Sequence, residues 1–88
     1  MKHKPDFILQ EVADTQVVVP VGEQALAFNG ILTLNGTGAF LWKLLGEDTN
    51  TDAMVKALTA TYDVEEQTAR ADVQTFVSNL KEKSLLID

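Results

Sequence analysis

Eighty-eight residues, 45% of them hydrophobic and 23% charged, bound the chain to one domain with a single core, too small for a deep cavity ringed by catalytic groups. The absence of cysteine excludes a disulfide framework, a thiolate nucleophile and every Cys-based metal site. The formal charge is −6, which handicaps any contact with a phosphate backbone; residues 1–45 contribute −1 of it and residues 46–88 contribute −5.

The N-terminal six residues are basic and lack the apolar run of a signal peptide, so they read as a flexible tail. No apolar run approaches the length of a membrane span, and a soluble cytoplasmic chain with no membrane contact is the default. A first strand is expected over 7–13, with Ile8, Gln10 and Val12 on one face and Phe7, Leu9 and Glu11 on the other. Asp14-Thr15 turns the chain, because Asp readily bonds its own backbone there. The three consecutive valines of 16–20 are a strong strand signal, and Pro20, which cannot donate to a ladder, belongs at a strand end or an outward edge.

Gly22-Glu23 offers a Gly-first hairpin turn into 24–28, where Leu26 and Phe28 share a face. Asn29-Gly30 then permits positive φ, so 24–34 is either one bulged strand or two short ones, the second being Ile31, Leu32, Thr33 and Leu34. At Asn35 the period changes from strand to helix, and Asn35 with Thr37 supplies the oxygen that caps a helix N-terminus.

The first helix is expected from 36 or 37 to 45, with Leu41, Leu44 and Leu45 at helical spacing and Gly46 as a left-handed C-terminal stop. Phe40 and Trp42, two apart, cannot point the same way, so one lies nearer the surface. The polar link 48–51 holds several candidate caps. The second helix spans 52–62 on a stripe of Met54, Val55, Leu58 and Tyr62. Asp63 caps and Val64 staples the third helix, 65–83, whose stripe is Ala69, Val73, Phe76, Val77 and Leu80. The apolar tail 84–88 packs back on the domain or pairs as a strand. Strands first and helices after indicate an α+β fold: a winged-helix-like, three-stranded antiparallel sheet followed by a three-helix bundle, with a fourth strand allowed.

Catalysis finds little support. His3, the single histidine, lies in the tail, so neither a Ser-His-acid nor a Cys-His arrangement can be built in a folded site. Asp63, Glu65 and Glu66 are explained by a helix start and lack the alternating oxygens of a calcium loop. The stretch 35–38 lacks the spacing and lysine of a phosphate-binding loop. A helix-turn-helix reader of DNA needs bases on its recognition helix, and the third helix opens on Glu65-Glu66 with Arg70 alone through its first four turns. An acyl carrier needs a serine at a helix head, where neither Ser78 nor Ser84 stands. The chain therefore reads as a non-enzyme with no cofactor and no metal, binding protein or peptide rather than nucleic acid.

The run Ile31-Leu32-Thr33-Leu34-Asn35-Gly36-Thr37-Gly38-Ala39-Phe40-Leu41-Trp42 carries a further signal. Together with Ala60-Thr61-Tyr62-Asp63-Val64, Thr68-Ala69-Arg70-Ala71-Asp72-Val73 and Leu80-Lys81-Glu82-Lys83-Ser84-Leu85-Leu86, in this order, it resembles the PqqD family, named for pyrroloquinoline-quinone biosynthesis, over about residues 7–87. The resemblance implies one recognition domain over 1–88 for ribosomally made, later modified peptides. Such a domain binds the leader segment of a precursor peptide by strand addition and presents it to a modifying enzyme, often of the radical SAM type. It implies docking on the third strand, in the cleft beside the third helix; Leu26, Phe28, Ile31, Leu32, Thr33 and Leu34 are the candidates for the edge, and Val73, Phe76, Val77 and Leu80 are candidates for either the opposite wall or the core. A winged-helix regulator or DNA binder, a homodimer and an enzyme-docking adaptor without leader affinity stay open beside it.

Overall fold

The computed structural model describes residues 1–23, 25 and 32–87. In chain order the elements are β1 (Lys2–His3), β2 (Phe7–Val12), β3 (Thr15–Pro20), β4 (Leu32–Leu34), α1 (Gly36–Leu44), α2 (Thr51–Thr61), α3 (Glu66–Glu82) and β5 (Leu86–Ile87). The chain divides into two compact units, Lys4–Phe40 and Met1–His3 with Leu41–Asp88. The α+β class holds, with the sheet β2-β3-β4 preceding the helices α1, α2 and α3 among the described residues. Leu26, Phe28 and Ile31, and with them the choice between one bulged strand and two, lie outside the described residues.

In the unit Lys4–Phe40, β3 is the central strand of an antiparallel sheet ordered β2-β3-β4. The β2–β3 hairpin closes on the pair Val12↔Thr15, which makes Ala13-Asp14 the two-residue turn. This sits one residue earlier than the expected Asp14-Thr15, and Ala13 adopts φ 57 at the position that a II′ turn assigns to glycine. Pro20 ends β3 opposite Phe7, where its missing N–H costs no interior ladder bond. Side-chain alternation puts Phe7, Leu9, Val18, Leu32 and Leu34 on one face, of which Phe7 and Val18 are buried. The opposite face carries Ile8, Val12 and Thr33, all exposed, and the buried Val17.

Asn35 then caps α1 as expected: its Oδ1 accepts the Gly38 N–H at 2.7 Å and its carbonyl accepts the Ala39 N–H at 2.9 Å. Gly38 is constrained by crowding, because a Cβ there would lie 3.2 Å from that same Oδ1. Of the aromatic pair on α1, Trp42 is buried and Phe40 keeps some surface, as the i, i+2 spacing requires. Gly46 departs from expectation, since Gly22 is the described glycine with positive φ. The last turn of α1 instead tightens, with the Gly46 N–H donating to the Lys43 carbonyl at 3.1 Å. A Cβ at Gly46 would stand 3.1 Å from that oxygen, which explains a small residue there.

In the unit of Met1–His3 and 41–88, Asn50 caps α2 by accepting the Ala53 N–H at 2.8 Å. Met54, Val55 and Leu58 form its buried stripe. Tyr62 does not join them: it is the C-cap, in extended backbone, and stays 40% exposed. Asp63 does not cap α3 either, because Glu65 occupies the N-cap position and makes no side-chain cap bond. The α3 stripe is Ala69, Val73, Val77 and Leu80, each worth at most ~1.5–3 kcal/mol for the larger side chains when fully buried. Its C-terminus is a Schellman motif. Ser84 takes φ 59, the Leu85 N–H reaches the Leu80 carbonyl at 2.9 Å, and the Ser84 N–H reaches the Lys81 carbonyl at 3.0 Å. Leu80 and Leu85 are both buried and supply the apolar contact that goes with this motif.

The N-terminal tail is the main correction to the sequence reading. Residues 1–3 are tied down rather than flexible: Lys2 and His3 pair with Ile87 and Leu86, the strand pairing that was one of the two outcomes open to the apolar tail. The Met1 ammonium donates to Asp48 Oδ1 at 2.6 Å and to the Thr49 carbonyl at 2.7 Å, and the Met1 carbonyl accepts the Thr49 N–H. His3 is not a solvated tail residue, since its ring stacks on Trp42.

Candidate peptide-docking edge

Backbone pairing decides which strand edges can accept another strand. In an antiparallel ladder, directly opposed residues alternate between those that exchange N–H···O=C bonds and those that do not. The two-residue turn makes Val12↔Thr15 a bonded pair, so Val12, Gln10 and Ile8 bond inward to Thr15, Val17 and Val19. The Val21 N–H on the Asp6 carbonyl at 2.8 Å extends the same alternation. Gln16 and Val18 therefore bond to β4, where their partners are Leu34 and Leu32. What remains is Thr33, between them, whose N–H and C=O point away from the sheet.

β4 is thus an edge strand with one outward donor–acceptor pair among its described residues, and Thr33 is exposed. Leu32 and Leu34 are half-buried on the sheet face opposite to the Thr33 side chain. The edge ends abruptly at Asn35, whose carbonyl and side-chain oxygens are taken by α1. Outward backbone groups flanked by partly exposed leucines are what an extended peptide needs: ladder bonds for affinity and alternate side-chain positions for selection.

The four helical residues expected to face this edge divide. Val73, Val77 and Leu80 are 0%, 7% and 1% exposed and belong to the core, because they are the buried stripe of an amphipathic helix. Phe76, one position off that stripe, is half-buried and keeps accessible surface. Sequence periodicity could not separate them, since all five stripe positions lie within one wide apolar arc.

Two ion pairs set the electrostatics of the described residues. Asp52 accepts a hydrogen bond from Arg70 Nη1 at 2.8 Å, and that bond raises the guanidinium pKa further above its usual range. The pair lines a shallow depression with Lys56, Thr59 and Glu66, a surface of mixed charge. The Met1 ammonium, by its hydrogen bond and then its charge, holds Asp48 below its ordinary value. Among the described residues no three His, Asp or Glu side chains gather as metal ligands, and no helix is long and apolar enough to cross a membrane.

A family model described as Coenzyme PQQ synthesis protein D (PqqD) matches residues 10–86. The fold is similar to that of a solved structure described as TbiB1 in complex with the TbiA(beta) leader peptide, with a TM-score of 0.75 and 24% identity over 100% of both chains. It is also similar to lasso peptide synthetase B1 complexed with the leader peptide, with a TM-score of 0.74 and 22% identity over 99% of this chain and 96% of that one. No curated protein matches the sequence.

Proposed function

Because the chain belongs to the PqqD family, we propose that residues 1–88 act as one non-catalytic recognition domain that binds the leader of a ribosomally made precursor peptide and presents it to a modifying enzyme. The observation that carries this reading is the open edge of β4, where Thr33 turns its N–H and C=O outward between two half-buried leucines. Two solved proteins of similar fold are described as holding leader peptides, which supports the same choice.

The leader adds to β4 as an extended strand. A residue opposite Thr33 makes two ladder bonds, each worth ~1 kcal/mol net, against an association cost of ~4–15 kcal/mol. Backbone pairing alone therefore does not hold the peptide. Apolar side chains of the leader supply the rest, at ~1.5–3 kcal/mol for each Leu- or Phe-sized group fully buried. Leu32 and Leu34 receive them, while Leu26, Phe28 and Ile31, expected on the same edge, lie outside the described residues.

A radical SAM enzyme is the class of partner we favour, and the cytoplasm, where precursor peptides are translated, is the compartment. A homodimer is compatible with this function as long as it leaves β4 open. Calorimetric titration with synthetic leaders, a scrambled leader as control, tests the proposal. The Thr33→Pro variant removes the outward N–H while leaving the β3 ladder bonds intact, so it should weaken binding at least tenfold. Equal affinity for native and scrambled leaders, or full affinity in the proline variant, would count against docking on β4.

A further inference from the structure

The same alternation that opens β4 opens the other edge of the sheet. With Val12, Gln10 and Ile8 bonded inward, Leu9 and Glu11 turn their N–H and C=O groups away from β3. Positive φ at Asp6 and Ala13 closes the strand at both ends, leaving a defined edge of six residues. Beside it lie Ile8 and Val12, 41% and 56% exposed, the two large exposed hydrophobics described in this unit.

We propose that this edge pairs with β2 of a second copy of the chain, antiparallel, about a two-fold axis through Gln10. One register satisfies the outward groups of Leu9 and Glu11 at once. Leu9 of each copy exchanges both backbone bonds with Glu11 of the other, giving four ladder bonds from the outward-facing residues. Ile8 then stands opposite Val12 of the other copy, twice, so each exposed apolar side chain is covered by its complement. The two Gln10 amides meet at the axis, where each can donate to the other.

Charge agrees with this pairing. The two Glu11 carboxylates each face a leucine instead of one another, and already accept an amide bond from Gln16 at 3.1 Å within their own sheet. The antiparallel arrangement sets the acidic end of each strand, Glu11 and Asp14, beside the other copy's end, where Lys4 offsets Asp6. A parallel arrangement would set the two acidic ends together. The result is a continuous six-stranded sheet with a β4 edge free at each end, so the dimer does not compete with a peptide there and stands whether or not a leader binds.

Sedimentation equilibrium and amide hydrogen exchange on the intact chain test this. We expect twice the monomer mass at high concentration. The Leu9 and Glu11 amides should be protected in proportion to the dimer population and exchange freely on dilution. Val12→Lys places a charge opposite Ile8 at an exposed position and should weaken self-association at least tenfold, with the thermal midpoint of the diluted monomer unchanged. A monomer at all concentrations overturns the proposal. So does a dimer that leaves these two amides unprotected, or protection that appears only on adding a leader peptide.

Discussion

The imidazole of His3 lies flat on the indole of Trp42, with ring centroids 4.3 Å apart and planes 3° from parallel. The stack fixes the N-terminal strand against the end of α1, where the His3 N–H donates to the Leu45 carbonyl at 2.9 Å. An aromatic pair of this kind contributes ~0.5–1.5 kcal/mol beyond its buried area. We expect His3→Ala to destabilise the chain by about 1 kcal/mol in urea unfolding and to speed exchange of the β1 and β5 amides. An unchanged midpoint would mean that the β1–β5 pairing holds without the ring.

Ser84 occupies the left-handed position of the Schellman motif that ends α3. That conformation strains an L-residue by ~1–2 kcal/mol, partly offset by the chain entropy that glycine loses on folding. Ser84→Gly should therefore raise stability by about 0.5–1 kcal/mol, measured by urea or thermal unfolding, without touching either docking edge.

The Met1 ammonium donates its hydrogen bond to Asp48 and, through that bond and its charge, lowers the carboxyl pKa below the ordinary 3.8. A carboxylate favoured in the folded state stabilises it above the unfolded pKa, and the contribution is lost as pH falls through the lower folded value. The Asp48 side-chain resonance should accordingly titrate with a midpoint below 3.8 in the folded chain. Acetylating the N-terminal amine should move that midpoint back up. A midpoint unaffected by acetylation would assign the shift to another cause.

Phe76 lies one position off the buried stripe of α3 and keeps accessible surface. Replacing a fully buried Phe by Ala costs ~3–5 kcal/mol, and the half-buried ring of Phe76 should cost less in urea unfolding. A loss of the full ~3–5 kcal/mol would return Phe76 to the core with Val73 and Leu80.

Much of this fold is legible in the residues, for reasons that are local. Three consecutive valines specify a central strand, Asn35 announces a helix start by its side-chain oxygen, and the spacing of Ala69, Val73, Val77 and Leu80 marks one buried stripe. What the local residues do not encode is what depends on distant partners. Nothing near Lys2-His3 signals a strand, because its ladder partner is Leu86-Ile87 at the other end of the chain. Asp63 has the side chain of a cap but stands two residues before the N-cap position, which Glu65 holds without a side-chain bond. The strand β4 is legible as an apolar run before a helix. Its outward-facing residue is not, because the outward turn of Thr33 follows from the registers of β2–β3 and β3–β4 rather than from its own neighbours.

Amide exchange at Thr33 tests strand addition on β4 most directly. In the free chain the Thr33 N–H has no ladder partner on β3 and should exchange quickly, while the inward-bonded Leu32 and Leu34 amides exchange slowly. Saturation with a leader peptide that binds by calorimetry should slow Thr33 exchange at least tenfold and leave its neighbours little changed. A bound leader with Thr33 still exchanging at its free rate would place the peptide elsewhere and contradict the account.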